Sequence, residues 1–130
     1  MAVSSNDFLA LSEQLLAMSD SEIAYRNVIS RLYYCLIHSV AAELSADAPT
    51  QYHTKMERYL KDSARHSEKE IIASEKLVRL GHMLAARRAK RVIADYKLTE
   101  TVTEEDAEGE MVITQDILSY LHSDELDESD

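Results

Sequence analysis

The chain has 130 residues, 45% of them hydrophobic, and a formal charge of −10. That length suits one domain and is too short for two ordinary ones; a domain of this size buries roughly two-thirds of its unfolded surface. Two glycines, one proline and one cysteine argue against a turn-rich sheet protein, a disulfide scaffold and a cysteine-built metal cluster. The acidic balance argues against generic nucleic-acid binding.

Ala, Leu, Glu, Arg, Lys and Met fill much of the chain, and they are strong helix formers. The expectation is an all-α protein, an antiparallel helical bundle over residues 1–121, followed by a disordered acidic tail at 122–130. Ser5 or Asn6 can cap a first helix near 7–18, with Phe8, Leu11, Leu15 and Met18 at the helical period. Its apolar stretch is broken by Ser12, Glu13 and Gln14 and has no basic leader, so it does not read as a secretory signal. No apolar run approaches the ~18 residues of a membrane span. The expected location is the cytoplasm, with no membrane partner.

The second helix is expected at roughly 21–45, started by Ser19 or Ser21, and Ser19 with Glu22 fits a capping box. Tyr25, Ile29, Leu32, Tyr33, Leu36, Val40 and Leu44 form one apolar stripe. Arg31, Tyr34, Cys35, His38 and Ala42 lie on or near a second face. A helix apolar on more than one side belongs in the centre of a bundle. Arg31 and His38 are almost two full turns apart and so point the same way.

Asp47 to Gln51, with Pro49, reads as a connection. A short helix follows at about 52–64, with Tyr52, Met56, Tyr59 and Leu60 inward and His53 at its start. A break near 64–67 and a capping box from Ser67 and Glu70 introduce a long fourth helix at about 68–96. Its apolar side, through Ile72, Leu77, Leu80 and Leu84, turns into Arg88, Arg91 and Asp95. Thr103 and Asp106 form a last capping box before a helix at about 104–121, whose apolar face takes Val112, Ile113, Ile117, Leu118 and Leu121.

Charge is unevenly placed. Residues 122–130 carry five of the 24 acidic groups, whereas 87–97 carries five basic groups and one acidic one. Arg87, Arg88 and Lys90 are therefore the candidate RNA-binding residues. Two glycines cannot build a phosphate-cradling loop, and His38, His53, His66, His82 and His122 lack tight ligand spacing. No cofactor and no metal are expected. Cys35 and His38 share a helix face, but a cysteine in a central helix is more often a small buried hydrophobe. Metal-free RNA cleavage needs a general base, a general acid and positive charge at the scissile phosphate. Arg31 with His38, or Arg91 with Asp95 and Tyr96, can supply parts of that set.

Two stretches resemble the HEPN family of small prokaryotic helical domains. Arg31-Leu-Tyr-Tyr-Cys-Leu-Ile-His38 resembles the family's early R-x-Y-Y-A-x-x-H-A helix. Arg91-Val-Ile-Ala-Asp-Tyr96, followed by Thr103-Glu-Glu-Asp-Ala107, resembles its later R-x-x-A-D-Y signature, polar connection and closing helix. His53 stands where a histidine often opens the intervening helix. The likeness covers about residues 20–121. It implies a four- or five-helix bundle of HEPN type that often forms a homodimer. Many family members are metal-independent ribonucleases of toxin–antitoxin, CRISPR or phage-defence systems. Others are non-catalytic binding modules beside a nucleotidyltransferase-like partner.

The resemblance thus implies RNA, a second copy, and a cognate antitoxin or nucleotidyltransferase-like protein as partners. The nuclease signature of active members is an arginine followed about four to six residues later by a histidine, on a late helix at the dimer groove. Arg91 occupies the arginine position and makes Arg91, Asp95 and Tyr96 the candidate catalytic residues. The signature's histidine is replaced by Tyr96. Arg31, Tyr34 and His38 form a secondary polar face on the early helix.

Overall fold

The computed structural model describes residues 3–18, 20–63 and 68–123, and these form five α-helices and no strand. They are α1 (Ser5–Met18), α2 (Glu22–Ala42), α3 (His53–Lys61), α4 (Ser74–Tyr96) and α5 (Glu104–Leu121). No described helix is long and apolar enough to cross a membrane. The segment 124–130 of the expected tail lies outside the described residues, while His122 caps α5.

α2 is the central element, packed against α1, α4 and α5. Its stripe divides between two apolar clusters. Tyr33, Leu36, Ile37 and Val40 join Met56 and Leu60 of α3, Leu77, Leu80 and Leu84 of α4, and Ile117 and Leu121 of α5. Tyr25, Val28, Ile29 and Leu32 join Ala94, Val102, Ala107 and Met111, with Leu9, Leu15 and Leu16 of α1 packed alongside. Each fully buried aliphatic side chain of this kind contributes about 1.5–3 kcal/mol. α3 comes close to α4 because position 81 is glycine. A Cβ there would stand 3.0 Å from Leu60 Cβ and from Lys61 Cγ.

The helix ends follow local chemistry. The closing helix opens with a complete capping box: Asp106 N–H donates to Thr103 Oγ1 at 3.1 Å and Thr103 N–H donates to the Asp106 carboxylate at 2.9 Å. At α2 the cap is Ser21, which accepts from Ala24 N–H; Ser19 lies outside the described residues. Glu22 is committed elsewhere, to Arg26 and to Val102 N–H at 3.0 Å. α4 starts at Ser74 rather than near 68, and Ser67 lies outside the described residues. The Glu70 carboxylate expected in that cap accepts instead from Ser45 N–H, Ser45 Oγ and Tyr59 Oη.

Some expected core positions turn outward. Val112 and Ile113 are 56% and 38% exposed. The inward face of α5 runs through Ala107, Met111, Thr114, Ile117 and Leu121, a spacing of three and four that leaves 112 and 113 on its flank. Tyr52, Leu11 and Met18 are also exposed. Tyr52 precedes the first turn of α3 as its cap, and Ser12 takes the buried position on α1.

Candidate functional site

The two polar faces read from the sequence meet around one ring. On α2, Arg31, Tyr34 and His38 follow a spacing of three and four and so share a strip. On α4, the apolar stripe through Leu77, Leu80 and Leu84 continues at the same spacing into Arg88, Arg91 and Asp95. Packing α4 on α2 therefore brings the arginine end of one stripe against the tyrosines of the other. The Arg91 guanidinium donates through Nη2 to Tyr34 Oη at 2.9 Å. Its Cζ lies 5.4 Å from the Tyr34 ring centre, 5.4 Å from Tyr96 and 5.9 Å from Tyr33. Arg31 Cζ lies 5.2 Å from the same Tyr34 ring. Cations held at such distances over an aromatic face are stabilised by its quadrupole.

The Asp95 carboxylate meets Arg91 directly and Arg31 only through Ser30. Asp95 Oδ2 stands 2.8 Å from Arg91 Nε and accepts from Ser30 Oγ at 3.1 Å. Ser30 Oγ in turn accepts from Arg31 Nη2 at 3.3 Å. The Arg91–Asp95 contact is a charge contact without the alignment of a hydrogen bond. Arg31 Nε is a buried donor with no hydrogen-bond partner, while Arg91 Nε is buried against the Asp95 carboxylate. A buried donor left open costs about 1–3 kcal/mol, and Arg31 Nε carries that cost beside the ring. In a chain of charge −10, two guanidinium groups around one carboxylate form a local positive excess suited to an anion.

Two imidazoles complete the cluster. His38 is exposed on α2 and stacks on Phe8 of α1 at 5.5 Å and on Tyr34 at 6.3 Å. His53, at the start of α3, meets Tyr33 and Tyr34 edge-on at 5.4 and 6.0 Å. Burial pushes the His53 imidazole below its ordinary pKa, and the positive field of Arg91 and of His38 pushes it the same way. Burial raises the Tyr33 hydroxyl far above the tyrosine range, with Glu57 adding to the effect; Tyr33 thus holds its proton at neutral pH.

Arg87, Arg88 and Lys90 do not form one stripe. Successive helical residues point about 100° apart, and their neighbours differ accordingly. Arg88 grips Glu57 of α3 with two bonds, of 2.6 and 3.1 Å. Arg87 pairs with Glu110 of α5 at 2.5 Å. Burial raises the Glu110 pKa, with Arg87 acting against the rise. Lys90 is exposed along a groove of about 420 Å³ between α4 and α5. Cys35 is fully buried and its thiol is pushed up by burial, which leaves it a poor nucleophile. Among the described residues, no group of three or more His, Cys, Asp or Glu side chains can hold a metal ion.

Phe8, Ser30, Tyr33 and the place of His53 in the cluster were not read from the sequence. Their contacts join different helices, and local periodicity carries no sign of which faces meet. Arg26 was missed for the same reason. It is buried and donates to the carbonyls of Ile93 at 3.1 Å, Ala94 at 3.0 Å, Lys97 and Glu100, while pairing with Glu22 at 3.0 Å. It holds the carbonyl end of α4, the turn that carries Asp95 and Tyr96. The chain matches no family model, no curated protein and no solved structure.

Proposed function

We propose that this is an RNA-directed protein of HEPN type, acting as a metal-independent endoribonuclease, the toxin component of a toxin–antitoxin or phage-defence system. One observation carries the reading: Arg31 and Arg91 converge on Tyr34, and Asp95 pairs with Arg91 alone while Arg31 meets it only through Ser30. A phosphodiester supplies the acceptor oxygens and the negative charge that this arrangement lacks. The two matching sequence motifs, Arg31 to His38 and Arg91 to Tyr96, support the same reading. In it the protein works as a homodimer, and a cognate antitoxin covers the arginine cluster. The test is cleavage of single-stranded RNA in chelator by wild type and Arg91→Ala. Cleavage by the wild type and its loss in the variant are expected; equal behaviour of the two proteins would overturn the reading.

A second reading has its own observation. Arg87 and Arg88 are each neutralised by a carboxylate buried on a neighbouring helix, which takes two of the five basic groups of 87–97 out of the stripe. Under this reading the chain is a non-catalytic dimerisation or partner-binding module, associated with a nucleotidyltransferase-like or defence protein. A stable dimer that neither binds nor cleaves RNA would favour it.

A further inference from the structure

Phosphate binding by arginines leaves two imidazoles of the cluster unexplained. His38 and His53 approach the Tyr34 ring from different helices, one stacked on its face at 6.3 Å and one edge-on at 6.0 Å. The same ring carries Arg31 and Arg91 at 5.2 and 5.4 Å. A phosphate held by these two guanidinium groups would therefore lie in the same cluster as both imidazoles. The other groups of the cluster are poor candidates for moving protons. Tyr33 keeps its hydroxyl proton, and Asp95 is engaged by Arg91 and Ser30.

The two imidazoles are differently placed. His53 is half-buried and faces Arg91 and Arg88 from α4, His38 from α2, and Glu57 on its own helix. Glu57 is already gripped by Arg88. Three positive or protonatable neighbours against one committed carboxylate favour a neutral imidazole, which can accept a proton. His38 is open to solvent.

We infer that His53 and His38 are the general base and the general acid of the phosphodiester site, an assignment that rests on the RNA reading above. His53 takes the proton of the ribose 2′-hydroxyl, and the 2′-oxygen forms a bond to phosphorus. The bond from phosphorus to the 5′-oxygen breaks, its electron pair leaves on that oxygen, and the His38 imidazolium protonates it. The products are a 2′,3′-cyclic phosphate and a 5′-hydroxyl; proton exchange with water resets both rings. No metal and no added water enter the step.

The experiment uses the full chain, a single-stranded RNA oligonucleotide in chelator, mass analysis of the product ends, and fluorescence anisotropy for binding. Wild type should leave cyclic phosphate ends. His53→Asn and His38→Asn should each lower the rate by about 10²–10⁴ while RNA affinity stays within roughly threefold. His53→Asn should also lose the acid limb of the rate profile, which lies below the ordinary histidine value of 6.5. Imidazole added to His53→Ala should restore part of the rate. Cleavage by both histidine variants at the wild-type rate overturns the assignment and leaves the RNA reading standing. So does binding that depends on Arg91 without any cleavage. Loss of affinity together with rate in both histidine variants, with no rescue, makes the rings structural and overturns the assignment. A wild type that neither binds nor cleaves overturns both.

Discussion

Arg26 and Arg31 lie little more than one turn apart on α2, yet their surroundings are opposite. Arg26 is surrounded by acceptors: four carbonyls from the end of α4 and the following connection, and the Glu22 carboxylate. Arg31, with Arg91 across from it, has a buried Nε and no partner for it. A guanidinium with its donors filled from within the chain is a brace. One with a donor left open is, in the reading proposed above, a receptor. The difference in satisfaction, rather than in residue type, separates the arginine that holds the fold from the arginines proposed to bind.

The largest test of this contrast is on the brace. Arg26→Ala should cost roughly 3 kcal/mol of stability, because it opens several carbonyls at the end of α4 at once; chemical denaturation measures it, and a loss under ~1 kcal/mol would break the comparison. Next comes the close approach of α3 and α4. Gly81→Ala should cost about 1–3 kcal/mol by pushing against Leu60 and Lys61. Gly109→Ala, with nothing near its Cβ, should instead add about 0.5–1 kcal/mol through helix propensity.

The receptor side predicts smaller changes with a different signature. Arg31→Ala and Arg91→Ala should each alter stability by no more than about 1 kcal/mol. Wild type should gain melting temperature as sulfate or phosphate is titrated in, by mass action, and both variants should lose that gain at matched ionic strength. The smallest effect is in pH. The Glu110 carboxyl has a folded pKa above its ordinary 4.5. Stability from its neutral form is complete below the unfolded value and is lost as pH rises through the folded one. Wild type should therefore lose ground against Glu110→Gln as pH rises from below 4.5 to above it. A constant difference would show that the Arg87 pair cancels the burial effect.

What the sequence could show of this molecule depends on the range of the interaction. The Thr103–Asp106 box and the start of α5 were legible, because both partners sit within one turn. The central place of α2 was legible from its two apolar faces. The start of α4 was not, because Glu70 answers to Ser45 and Tyr59 rather than to a local cap. The basic stripe dissolved because Glu57 and Glu110, remote in sequence, were waiting for Arg88 and Arg87. Arg31, Tyr34, His38, Arg91, Asp95 and Tyr96 were each picked out, but as two separate faces. Their meeting around Tyr34, and the arrival of His53 and Phe8, depend on helix packing that no local pattern encodes.

Arg26 also changes the electrostatics of the end of α4. The carbonyl end of a helix carries roughly half a negative charge, and in α4 that end lies one turn beyond Arg91, beside Asp95 and Tyr96. Unshielded, it would repel an anion approaching the cluster. The guanidinium of Arg26 sits directly on those carbonyls. The brace thus also satisfies the carbonyls at the negative pole of α4, and because Glu22 pairs with the same guanidinium, that end gains hydrogen bonds without gaining net positive charge.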